Sequence, residues 1–193
     1  MKILTIIICT MFLAAFVYGQ EEKEPELETT INSIKISYIG LNLSNEIRLA
    51  RKLSLNTNLQ VSPSSLRSNG ADHSYVVYPD FNLETRWYTN LDRRAAKGKR
   101  IEGNTGNAWS LRATYSPDLL LLTNQNYIVK SSLLSIGPSY TIRRTFWKNF
   151  NFEGSLNARQ AYIFRSSREY LPNQGAYLEF SAGFKIGYQF VRK

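Results

Sequence analysis

Apolar and polar residues alternate strictly along the last strand-length segment of the chain. In AYLEFSAGFKIGYQF, residues 176–190, every second side chain from Leu178 to Phe190 is apolar, and the side chains between them are polar or small. A period of two residues is typical of a β-strand whose two faces meet different surroundings. The segment therefore predicts a strand with one apolar face.

Seven further segments beyond residue 30 show the same alternation and predict seven more strands. The connections RK, residues 51–52, and TFWKN, residues 145–149, are short and predict two tight hairpins. The phase flips at Ile39 and Gly40, as at a turn, which gives eight strands, or at a bulge, which gives seven. Pro138 has no backbone N–H, so we expect a bulge to begin there. The seven segments are INSIKISY, LNLSNEIRLA, LSLNTNLQV, DFNLETRWY, AWSLRATY, SLLSIGPSYTIRR and NFNFEGSLNARQAYIF.

The lengths of the connections favour a membrane barrel. Short connections alternate with longer ones at 62–76, 117–130 and 165–175, and the long connection at 89–106 is an exception. Membrane barrels join their strands by short turns on one side and longer loops on the other, and bacterial single-chain barrels have an even number of strands. The even count favours eight strands over seven.

Aromatic residues fall near the strand ends, as in the two interface girdles of membrane barrels. Trp87, Trp109 and Trp147 fall at one end of the threaded strands, and Tyr188 and Phe190 close the last one. We therefore predict an all-β fold, a closed antiparallel up-and-down transmembrane β-barrel of about eight strands. The tyrosines expected toward the other end are Tyr75, Tyr78, Tyr115, Tyr162 and Tyr177.

The polar faces of the strands carry charges of both signs at mid-strand. A barrel of about eight strands has an interior that side chains just fill, so we expect these ions to pair across the lumen. A soluble lipocalin-like barrel would turn the same charges to water and is the alternative. The predicted lumen ions are Glu46, Arg48, Glu84, Arg86, Arg112, Arg143, Glu153, Arg159, Glu179 and Lys185.

The first residues predict export. MKILTIIICTMFLAAFVYGQ begins with one lysine and continues with an apolar run from Ile3 to Val17, which is shorter than a membrane span. We expect a signal peptide over residues 1–19, removed after Gly19 together with the only cysteine, Cys9. Residues 20–30 are expected to form a flexible acidic lead, and residues 31–193 to form the barrel.

The chain is basic, with 24 lysines and arginines against 15 acidic residues. Export, and the lack of a basic block interleaved with stacking aromatics, argue against a nucleic-acid partner. One dense basic run, RRAAKGKR, lies in the connection at 89–106. We expect it to be a solvated turn, and contact with anionic lipid head groups, peptidoglycan carboxylates or a periplasmic partner is the alternative. Its charged residues are Arg93, Arg94, Lys97, Lys99 and Arg100.

Two stretches resemble a known family. LETRWYTNLDRRAAKGKRIEGNTGNAWSLRATY, residues 83–115, is similar to the middle of small outer-membrane β-barrel proteins of Gram-negative bacteria, in particular uncharacterised barrels of the Bacteroidetes type. The aromatic, any residue, aromatic pattern of Tyr188 and Phe190 resembles the assembly signal of such barrels, although three residues follow it. The resemblance implies an outer-membrane location, with outer-membrane lipids and the barrel assembly machinery as partners.

The sequence favours a structural or surface-interaction role over catalysis. The only histidine, His73, lies between Asp72 and Ser74, but neighbouring side chains of an extended strand point to opposite faces and do not converge as a triad requires. We expect no catalytic, cofactor or metal site. A lipid- or peptide-modifying enzyme centred on His73, a small pore and a soluble lipocalin-like binder are the alternatives. The sequence does not identify a periplasmic or extracellular partner.

Overall fold

A computed structural model describes residues 25–38, 40–66, 74–123, 132–164 and 175–192. The predicted signal peptide, Cys9 and His73 lie outside the described residues, and so do residues 67–73, 124–131 and 165–174 of the predicted long connections.

The described chain is all-β apart from one short helix and one 3-10 turn. Its antiparallel strands belong to a single sheet. The helix, α1 (Leu91–Ala96), and the 3-10 turn (Glu102–Asn104) both lie between the fourth and fifth strands. The strands are β1 (Thr30–Ser37), β2 (Gly40–Ala50), β3 (Leu53–Leu66), β4 (Ser74–Tyr88), β5 (Asn107–Ser116), β6 (Leu122–Thr123), β7 (Ser132–Phe146), β8 (Phe150–Phe164) and β9 (Ala176–Arg192).

Eight of these strands pair around a ring. Each long strand pairs with the next one along the chain, from β1 to β5 and then from β7 to β9, and β1 pairs with β9. The two-residue β6 pairs with β4 at Val76 and Val77. Thr30 of β1 is opposite Arg192 of β9. The start of the first strand and the end of the last strand therefore lie at the same end of the ring, which we call the lower end.

The first two strands meet in a turn, because Ser37 is opposite Gly40 in an antiparallel pair. The predicted hairpins at residues 51–52 and 145–149 are confirmed, and the second connection is shorter than predicted because β7 extends to Phe146. The hairpin of β1 and β2 is short, and the strands on either side of it, β9 and β3, extend above it. Among the described residues, the upper part of β9, Ala176–Phe184, pairs only with β8, and the upper part of β3, Ser62–Leu66, pairs only with β4.

Pro138 lies in β7 without a bulge, so that prediction is wrong. Pairing between β7 and β8 lapses at Gly137 and Pro138 but resumes in the same register, since Ile136 is opposite Gln160 and Ser139 is opposite Asn157. The missing N–H of proline is therefore accommodated by a gap in the ladder and not by an extra residue. Gly137 lets the two backbones approach, because a Cβ there would lie 2.1 Å from the carbonyl oxygen of Ala158.

The inward face of the ring is polar and its outward face is apolar, which is the reverse of the arrangement in a water-soluble protein. The inward positions carry polar side chains that are buried, such as Asn42 and Glu84, whereas the outward positions carry apolar side chains that are exposed, such as Leu156 at 63% and Phe180 at 73%. The alternation of each strand thus separates a polar interior from an apolar exterior. None of the helical segments within the described residues is long and apolar enough to span a bilayer.

A small apolar core closes the lower end. Leu27, Tyr88, Leu91 and Ala108 are buried against one another. Leu27 precedes β1 and donates its backbone N–H to the carbonyl of Arg51 at 3.1 Å. Residues 20–24 of the expected flexible lead lie outside the described residues. Its later part, residues 25–30, is instead packed against the ring, because Leu27 fills the core.

Candidate functional site

A network of buried ions crosses the middle of the ring, and Glu153 of β8 is its most connected member. Its carboxylate lies 2.9 Å from Lys35 Nζ, 3.0 Å from Arg86 Nη2 and 2.9 Å from Arg143 Nη2. These cations come from β1, β4 and β7. One carboxylate therefore ties together strands on different sides of the lumen.

Two further carboxylates extend the network. Glu84 accepts from Arg86 at 2.7 Å and from Arg112 at 3.0 Å. Glu46 of β2 lies 2.7 Å from Arg143 of β7, and these two strands stand opposite each other in the ring. The side chains of both glutamates are almost fully buried. Because buried ions are costly unless they are paired and hydrogen-bonded, this arrangement fixes the positions of the strands that carry it.

The connection at 89–106 reaches the network from below. Asn104 Nδ2 donates to Glu46 Oε1 at 3.0 Å, and Tyr88 Oη donates to the same atom at 2.9 Å. Gly106 exchanges two backbone hydrogen bonds with Arg143 at 3.2 and 2.8 Å. This connection and Leu27, together called the lower cap, close the lower end of the lumen beneath the ions.

The structure brings six of the ten predicted lumen ions into this one network, namely Glu46, Glu84, Arg86, Arg112, Arg143 and Glu153. Lys185 donates to Asn42 Oδ1 at 2.7 Å and, within the described residues, forms no ion pair with a carboxylate. Arg159 and Glu179 form a separate pair at 2.7 Å. Arg48 lies outside the network, because it is partly exposed near the lower end and pairs with Glu26 at 2.5 Å.

Lys35 was missed from the predicted set. It alternates with Ile34 and Ile36, so the same period-two rule places it on the inner face. Tyr88 and Asn104 were also missed. Tyr88 lies two residues after Arg86, so it has the inward phase of β4, but it was grouped with the exposed aromatic residues around it. Asn104 belongs to an irregular connection, where strand alternation gives no signal.

Aromatic side chains surround the lower end of the ring on its outer face. Trp87 is opposite Trp109, whose ring centroid lies 4.9 Å from that of Tyr140. A second run of ring contacts joins five residues, with neighbouring centroids 5.0 to 5.8 Å apart. All three predicted tryptophans, and Tyr188 and Phe190 with them, therefore lie at one end. The run consists of Phe146, Trp147, Phe150, Tyr188 and Phe190.

Of the predicted tyrosines at the other end, Tyr75, Tyr115 and Tyr162 are exposed on the outer face. Tyr78 and Tyr177 instead occupy inward positions of their strands, two residues from Asp80 and Glu179. The upper aromatic set is thus smaller on the outer face than the sequence predicted.

The basic run contains two arginines that donate to backbone carbonyls and three cations that are exposed. Arg94 donates to the carbonyl of Arg100 at 3.1 and 2.8 Å, and Arg100 donates to the carbonyls of Trp147 and Lys148, the latter at 2.9 Å. These two arginines hold the lower cap to the turn between β7 and β8. Arg93, Lys97 and Lys99 are exposed on the same end of the molecule.

Within the described part of the chain, no three His, Cys, Asp or Glu side chains gather where they could hold a metal ion. No family model matches the chain, and neither a curated protein nor a solved structure shows significant similarity to it.

Proposed function

We propose that this protein is a small outer-membrane β-barrel whose lumen is filled by its own side chains. The observation that carries the proposal is the exchange of the two faces, because charged groups are buried inside while leucine, isoleucine and aromatic side chains are exposed all round the outside. An outer surface of this kind is far larger than the apolar patches that soluble monomers expose. A closed sheet with a lipid-facing apolar band supplies a reason for it.

The positions of the tryptophans and of the exposed cations support the same proposal and suggest which end faces the periplasm. Aromatic rings collect at the interfaces of membrane barrels, and the lower end carries Trp87, Trp109 and Trp147 together with the exposed cations Arg93, Lys97 and Lys99. In this proposal the lower end faces the periplasm, after export by the signal peptide. The exposed cations then contact anionic lipid head groups or an acidic periplasmic partner.

The filled lumen argues for a structural or surface-interaction role and against transport. Arg86, Arg143 and Glu153 meet at the centre, and the lower cap lies beneath them. An open pathway would require these ion pairs to separate without a replacement partner, which is costly in a low-dielectric interior. The role is then carried by the outer loops or by the exposed basic end.

Cell fractionation tests the location. We expect the protein in the outer-membrane fraction, extracted by detergent and not by salt. Recovery in the soluble periplasm without detergent would favour a lipocalin-like binder instead.

Planar bilayer recording tests the filled lumen. We expect no steady conductance from the wild type, and we expect Glu84→Ala to lower stability more than it raises conductance, because it leaves Arg86 and Arg112 short of a partner. Glu102→Ala is the control, since Glu102 is exposed and pairs with Arg100 outside the lumen. A steady ohmic conductance of the purified wild type would indicate that the protein is a pore.

A further inference from the structure

A row of polar side chains lies on the apolar outer face, near its lower end at Asn32. Asn32 of β1 is opposite Asn45 of β2, which is opposite Thr57 of β3, and all three residues point outward. Asn45 Nδ2 donates to Asn32 Oδ1 at 2.8 Å, and Thr57 Oγ1 donates to the backbone carbonyl of Asn45 at 3.3 Å. In the proposed bilayer these carboxamides face hydrocarbon, where polar groups without partners are costly.

The row does not satisfy itself. The two N–H groups of Asn32 Nδ2 and the side-chain oxygen of Asn45 have no hydrogen-bond partner among the described residues. Both asparagines therefore keep hydrogen-bonding capacity that only a ligand or a lipid can use.

The row lies in a groove of about 750 Å³ on the outer face, lined by β1 to β5, by Leu134 of β7 and by Phe190 of β9. Its lining combines large apolar side chains with the smaller Asn45, Thr57 and Ala113. The large side chains include Ile34, Leu43, Leu59, Phe81, Tyr115 and Phe190.

The groove is polar at one end and apolar at the other. Asn32 lies two residues above the start of β1 at the lower end, whereas Ala113 lies three residues below the top of β5. The row continues from Thr57 to Leu83 and Ala113, and because barrel strands are tilted it climbs from the lower interface toward the upper one.

We infer that this groove binds one diacyl phospholipid, an inference that rests on the proposed membrane location. The carboxamide N–H groups of Asn32, which Asn45 holds in place through its own N–H, donate to the ester carbonyl oxygens of the lipid near the lower interface. One acyl chain lies along the apolar part of the groove past Leu83 to Ala113.

Native mass spectrometry of the detergent-solubilised full chain tests this inference. The probes are 1-palmitoyl-2-oleoyl phosphatidylethanolamine and its diether analogue, which has the same head group and chains but no ester carbonyls. We expect the wild type to retain one ester lipid with roughly fivefold preference over the diether lipid, the effect of about one net hydrogen bond.

Three variants separate the parts of the site. The double variant Asn32→Leu with Asn45→Leu is expected to lose the preference for the ester lipid, and Ala113→Phe is expected to lower retention of both lipids by filling the apolar end. Gln160→Leu is the matched control, because it removes an outward carboxamide of β8 that lies outside the groove. Each variant is first checked for folding by the resistance of its native form to dissociation on gels.

Equal retention of ester and diether lipid by the wild type overturns the inference, and so does a lipid-free dimer that the asparagine variants dissociate. A wild type that inserts into membranes but retains no lipid overturns the inference alone. Recovery as a soluble protein overturns the membrane location and the inference together.

Discussion

The inner and outer faces of the ring are made by the same alternation but obey different physical demands. Inside, Glu46, Glu84 and Glu153 are each held by named cations at 2.7 to 3.5 Å. Outside, apart from the row of Asn32, Asn45 and Thr57, the side chains share mainly their apolar character, and some aromatic rings contact one another. The inner face therefore depends on the position of individual atoms, whereas the outer face depends on the class of residue.

This difference predicts how the two faces respond to substitution. A charge removed from the inside leaves a buried partner unpaired, and a charge added to the outside meets hydrocarbon if the proposed location is correct. Substitutions that keep the class of residue are expected to lower stability on the inner face and to leave it nearly unchanged on the outer face.

The largest effect is expected at Glu153. Glu153→Ala leaves Lys35, Arg86 and Arg143 without their shared carboxylate, so the free energy of unfolding should fall by about 3–5 kcal/mol. Urea unfolding in detergent micelles measures the change. Glu26→Ala is the control, since Glu26 is exposed and pairs with Arg48 outside the network. A loss below about 1 kcal/mol, the range of exposed pairs, would mean that the network does not hold the ring together.

The next effect tests the outer face. Leu156 is 63% exposed. Leu156→Arg should cost about 2–4 kcal/mol of folding free energy in lipid vesicles, because the proposed location puts the guanidinium at mid-bilayer. Leu156→Phe, which stays apolar, should leave folding nearly unchanged. In a water-soluble ring Leu156→Arg would be harmless, so an unchanged folding free energy would remove the proposed lipid contact.

Strand alternation predicted the fold well because it depends on local sequence alone. The eight long strands, the hairpins and the inward direction of Glu84, Arg86 and Glu153 all follow from a period of two residues. Strand ends were less accurate. β4 begins at Ser74, several residues before the predicted segment, since its upper part pairs with β3 where no alternation marked it.

The errors arose where long-range packing decides the structure. Arg48 has the inward phase, but the lower end of β2 is partly open to solvent, so it binds Glu26 and not the network. The position of Asn104 beneath Glu46 depends on how the connection at 89–106 folds back under the ring. Pro138 was expected to need a bulge, yet Gly137 beside it allows an unpaired step in the same register.

An intermediate effect is expected at the close approach of β7 and β8. Gly137→Ala places a Cβ 2.1 Å from the backbone oxygen of Ala158, so strand β8 must move, and we expect a loss of about 1–3 kcal/mol in urea unfolding. Gly154→Ala is the matched control on β8, because its nearest contact, Phe152, would be at an ordinary 3.6 Å. Equal stability of the two variants would show that the backbones can separate without cost.

The smallest effect is expected for the pair formed by Arg159 and Glu179, which lies apart from the central network. Its nitrogen and oxygen are 2.7 Å apart, but both side chains keep some exposure, so water screens the attraction. A double-mutant cycle with Arg159→Ala and Glu179→Ala should give a coupling energy of about 0.2–1 kcal/mol. The same cycle for Arg86 and Glu153 should give a larger coupling, because both of these side chains are buried and hydrogen-bonded. If the two couplings are equal, burial does not distinguish the central network from this separate pair, and the inner face does not depend on the buried position of individual ions.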